Sequence, residues 1–177
     1  MQDRMAALVS TLIVVALAAG CDDASAPATP TTQNPSFTES SGGEATELGR
    51  ATFGGGADGF RARRVTGDWS VDLKAKPAFD LAVQQVVLHP GGQSGWRRSP
   101  GPSFIIVLSG VVKFYEADDP KCKPIVRRAG QGYFDLGEHA HIARNESNKD
   151  AETLLTFIAP PGATLRIDEP APKNCAF

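Results

Sequence analysis

Two short stretches concentrate the side chains able to do chemistry. In the first, Gly91-Gly92-Gln93-Ser94-Gly95-Trp96-Arg97-Arg98-Ser99, an arginine pair and a serine follow a Gly-Trp step. In the second, Gly130 to Asn145, His139 and His141 stand two residues apart with Glu138 beside them. A guanidinium is a permanent cation whose planar donors suit a carboxylate or a phosphate. Side chains alternate along an extended segment, so His139 and His141 are expected to share a face, and only one of Arg97 and Arg98 can point inward. A divalent ion normally requires three or more N, O or S ligands, and two histidines do not supply them. Glu138 with His139 has the composition of an acid/base pair, or of a solvated loop. Ser99 lacks the Gly-x-Ser-x-Gly surroundings of a nucleophile. Gly54-Gly55-Gly56 precedes no helix and reads as linker.

These residues need a frame, and the chain supplies one of modest size. A prior of about 150 residues per domain assigns the 177 residues to a single domain once loose ends are subtracted. The net charge of −2 excludes broad electrostatic binding to nucleic acid, and the runs Arg61-Ala62-Arg63-Arg64 and Arg97-Arg98 are too short to change that. Thirteen Pro and eighteen Gly favour short strands and turns over long helices.

Residues 1–20 read as a signal peptide. The apolar run Met5 to Gly20 is short for a membrane span, which needs roughly 20 residues. It ends Leu17-Ala18-Ala19-Gly20-Cys21, similar to a bacterial lipobox in which Cys21 carries lipid; a plain cleaved secretory signal is the alternative. Translation can start at Met1 or Met5. Either way the protein is expected to be exported, anchored to the membrane through Cys21 or secreted. Cys122 and Cys175 are then expected to form a disulfide. That link would stabilise by roughly 4 kcal/mol in the chain-entropy account.

Residues 21–57, poor in bulky apolar side chains, read as a flexible tether, with only a faint strand-like patch from Ala45 to Phe53. Residues 58–177 carry the folded part. Short apolar runs there, among them Phe60 to Val65, Asp80 to Leu88, Ser103 to Leu108 and Thr153 to Ala159, are separated by Gly/Pro turns. That is the pattern of an antiparallel sandwich or barrel, and Leu108-Ser109-Gly110-Val111 reads as a tight hairpin. His89 reads as a turn residue, and Trp69 and Trp96 as packing aromatics.

The two stretches, with Pro100-Gly101-Pro102 before a hydrophobic strand ending Ser109-Gly110, resemble the two signature motifs of the cupin superfamily over about Asp80 to Pro170. The resemblance implies an all-β fold, a double-stranded β-helix or jelly-roll barrel with a ligand pocket at one mouth. Relatives usually place metal-binding histidines where this chain has Arg97 and Ser99, while His141 matches the histidine of the second motif. The expected site is therefore Arg97, Ser99, His139 and His141 binding a small, anionic molecule with no cofactor. Two alternatives stand beside it: a divalent metal enzyme using His139 and His141, and a surface interaction module whose pocket is filled by Trp96, Phe104 or Tyr133. Homodimer formation is implied by the family alone.

Overall fold

A computed structural model describes residues 37–55, 58–175 and 177. The expected signal segment, Cys21 and the tether as far as residue 36 lie outside the described residues. The strands in chain order are β1 (Ser41–Phe53), β2 (Phe60–Thr66), β3 (Trp69–Ala75), β4 (Phe79–Gln93), β5 (Arg97–Arg98) and β6 (Ser103–Ser109). After them come β7 (Val111–Glu116), β8 (Ile125–Arg128), β9 (Gly132–Asp135), β10 (His141–Arg144), β11 (Ala151–Ala159) and β12 (Ile167–Asp168). There is no helix among the described residues.

Ten strands make one strongly bent antiparallel sheet in the order β12-β5-β10-β4-β11-β6-β9, with β1 on β4 and β7 joining β10 to β8. This is the all-β, jelly-roll barrel class expected from the sequence. Alternation explains its interior. Along β11 every second residue is buried, and in β6 Ser103, Ile105 and Val107 point in while Phe104, Ile106 and Leu108 point out. Ile105, Val107, Val112, Phe114, Leu155 and Phe157 fill the barrel. Tyr133 stacks on Phe114 at 4.1 Å within that core. Trp96 belongs to a second buried cluster with Tyr115, Ile142 and Cys175, so neither Phe104 nor Trp96 plugs a pocket at the mouth.

Three expectations change. Ser41–Phe53, inside the stretch read as a tether, is a thirteen-residue strand paired with β4 from Ser41↔Gln93 to Phe53↔Phe79. Its stability comes from backbone pairing and a few polar anchors, which a search for apolar runs does not register. Thr52 donates to Asp80 at 2.6 Å, and Phe53 stacks on Phe79 at 5.5 Å. Secondly, β6 and β7 do not pair across Gly110: β7 bonds to β10 and β8. The turn carries the chain round a corner, and a side chain at Gly110 would lie 2.5 Å from the Asp150 carbonyl oxygen. Thirdly, β2 and β3 form a separate two-stranded sheet.

The expected disulfide is present, Cys122 to Cys175, with Cα atoms 5.4 Å apart. It fastens the C-terminal segment beside Trp96 and Ile142.

Candidate functional site

Gly95 sets up the site. Its φ is +69°, and a β-carbon there would lie 2.0 Å from the Thr38 carbonyl oxygen, so the turn before β5 closes only with glycine. Ser94 holds the same turn, accepting from the Ala143 backbone N–H at 2.9 Å. The strand that follows aims adjacent arginines in opposite directions. Arg98 turns outward to Glu169 at 2.5 Å. Arg97 turns inward, opposite His141 on β10 and Asp168 on β12.

Arg97 lines a cavity of about 390 Å³, within the size range of small-molecule pockets. Strand β1 builds one wall with Ala45 and Glu47, β4 contributes Gln84, Val86 and Leu88, and the C-terminal segment adds Leu165 and Arg166. The Nε of Arg97 is buried and has no hydrogen-bond partner. The other cavity arginines are satisfied. Arg50 bonds to Glu47 at 3.0 Å and to the Ala163 carbonyl at 2.9 Å, and Arg166 bonds to Asp168 at 2.5 Å and to the Ser94 carbonyl. Burial, with Arg166 nearby, lowers the Arg97 pKa from its ordinary value to about 10, so the group stays cationic at neutral pH. A half-buried guanidinium with a sealed, unbonded Nε and only the more distant pull of Asp135 and Asp168 is a costly arrangement that an anion would relieve.

Two further buried atoms lack a hydrogen-bond partner, Ser99 Oγ and His141 Nδ1, on residues 2% and 1% exposed. His141 Nδ1 is 3.8 Å from Asp135, too far for a hydrogen bond. Burial first and the Arg97 charge second depress the His141 pKa to about 4, against the opposing pull of Asp135. The imidazole is thus neutral at pH 7. Asp135 in turn accepts from the Gly137 backbone N–H at 2.8 Å and from the Ser103 hydroxyl at 3.3 Å.

Of the four residues expected to form the pocket, Arg97 lies on the cavity wall, whereas Ser99 and His141 are buried and do not line it. His139 departs. The segment before β10 is not extended, so the expected shared face with His141 does not arise. His139 is 59% exposed, faces Asp118 at 3.7 Å and borders a shallow acidic depression with Glu116 and Glu138. Sequence reasoning also missed Arg50, Arg166 and Asp135. The last was legible: alternation with buried Tyr133 puts Asp135 on the inner face of β9.

A divalent ion fits this donor set poorly. Among the described residues no group of three or more His, Cys, Asp or Glu side chains is placed to hold a metal. Arg97 also sets a positive charge opposite the inner histidine.

No family model matches the sequence, and no curated protein matches it. Similar solved structures do exist. The polyketide cyclase RemF of Streptomyces resistomycificus is 11% identical over 76% of this chain and 80% of its own, with a TM-score of 0.48. The Cupin_2 domain of an XRE family transcriptional regulator from Enterobacter cloacae is 21% identical over 46% and 82%, with a TM-score of 0.37. The DMSP lyase DddQ of Ruegeria pomeroyi is 18% identical over 49% and 42%, with a TM-score of 0.43, so the chain spans under half of that protein. The strand topology by itself defines the fold class, an all-β antiparallel barrel of the jelly-roll kind.

Proposed function

We propose that this protein is an extracytoplasmic, lipid-anchored cupin-type module that binds a small anionic molecule in the Arg97 cavity without a metal cofactor. One observation carries the reading: an inward guanidinium, its Nε buried and unbonded, on the wall of a cavity of about 390 Å³. Thermal-shift screening of carboxylates, phosphates and neutral sugars tests it. Anions should stabilise the wild type and leave Arg97→Ala unmoved; equal shifts in both proteins refute the reading. The rival metal-enzyme reading would have to use His139 and His141, whose side chains do not converge. A stoichiometric transition metal in protein purified without chelators, lost in His141→Ala, would favour that rival.

The Cys122–Cys175 disulfide supports export, because such bonds persist in oxidising compartments. Anchoring through Cys21 predicts that labelled fatty acid is incorporated by the wild type and not by Cys21→Ser. The third reading, an interaction surface, has its own support. Phe104, Ile106 and Phe134 lie 47–50% exposed on the outer face of the paired β6 and β9 strands, with Leu108 (45%) further along β6 and Leu136 (57%) just beyond β9. A second copy of the chain covering this apolar face is the partner we propose, and sedimentation of wild type against Phe104→Arg tests it.

A further inference from the structure

The cavity's charges and walls say more about its occupant than its sign. We infer that the occupant is a monocarboxylate with an apolar body, selected against dianions; this deepens the anion-binding reading and rests on it. Charge balance is the first argument. Arg50 is neutralised in place by Glu47, and Arg166 by Asp168, which leaves Arg97 as the cavity arginine lacking an ion pair among the described residues. Asp135 and Asp168 pull on Arg97 only from beyond ion-pair distance, so a single ligand carboxylate would be its first direct partner. The second argument is repulsion. Glu44 lines the same cavity from β1 and makes no ion pair among the described residues, so a second charge on the ligand would meet a carboxylate of its own sign. The third is surface. Ala45, Val86, Leu88 and Leu165 offer an apolar bed beside the guanidinium, suited to an alkyl or aryl group and of no use to a compact ion such as phosphate. A planar carboxylate also matches the fork of donors on Arg97 in a way that a neutral amide does not.

Calorimetric titration of the full mature protein with benzoate, octanoate, benzamide, succinate and inorganic phosphate tests the inference. Benzoate or octanoate should bind at least about tenfold more tightly than the other three, and Arg97→Gln should lose that binding. Arg97→Lys, which keeps the charge and loses the fork, should retain part of it, guarding against a variant that merely misfolds. Glu44→Gln should improve succinate binding more than benzoate binding, since a rim charge acts twice on a dianion. If succinate or phosphate binds as tightly as benzoate and depends on Arg97, the monocarboxylate inference is overturned while anion binding stands. If benzamide equals benzoate, or no probe binds in an Arg97-dependent way, both fail.

Discussion

Replacing Arg97 with methionine should make the empty protein more stable. The side chain is half-buried with its Nε sealed off, and no hydrogen bond relieves that atom. Its pKa falls well below the ordinary guanidinium value, to about 10, mainly through burial. At about 1.36 kcal/mol per pKa unit, the folded state tolerates the charge less well than the unfolded chain by roughly 3 kcal/mol. The sign follows from linkage. A cation whose folded pKa is depressed penalises folding at every pH below about 10, and the penalty fades only as pH rises from there towards the ordinary guanidinium range. At neutral pH the whole penalty is present. Methionine has a similar length and no charge, so Arg97→Met should recover most of it, a net gain of about 1–3 kcal/mol after imperfect packing. Urea unfolding at pH 7 on exhaustively dialysed protein measures this directly. Added benzoate should then raise the wild-type midpoint and leave the variant unmoved. A loss of about 1 kcal/mol or more in dialysed Arg97→Met, at unchanged m-value, would show that the guanidinium is compensated and refute the argument.

Three further outcomes are expected. His141, with a folded pKa depressed to about 4, contributes stability that is fully present above pH 6.5 and lost as pH falls through the window to 4. That loss is on the order of 3 kcal/mol, and unfolding measured across the window should be flatter in His141→Gln. Cys175→Ser should lower stability by about 4 kcal/mol, the loop-entropy value for a sequence separation of 53, as read in chemical denaturation under non-reducing conditions. Asn145 is fully buried and donates to the Leu88 and Lys149 carbonyls at 2.7 Å each while accepting from Ser147. Asn145→Ala should therefore destabilise by roughly 2–3 kcal/mol, seen as a lowered denaturation midpoint.

Much of the barrel could be read from local pattern. The runs that became β6, β7, β9 and β11 were visible because one face of each packs inside and the other faces out, a period that survives without knowledge of partners. Strand β1 was not visible. Every residue along it stays exposed, and what holds Ser41–Phe53 is a ladder to β4 together with Arg50 and Thr52 reaching Asp80. Those contacts span about thirty positions, beyond any window of hydrophobicity. The same limit hid the hairpin error at Gly110, where turn chemistry was correct and the partner strand was not.

The amino-acid order alone determined the chemistry on offer: a strand-rich chain, a guanidinium beside a Gly-Trp turn, and a pair of cysteines near Pro120 and the C-terminal segment. Tertiary structure decided which of those groups meet. It turned Arg97 inward and Arg98 out, separated His139 from His141, and brought Asp135, Arg50 and Arg166 from distant strands around them. The physical reason is that alternation assigns a side chain to a face, while the register between strands decides which faces enclose the same space.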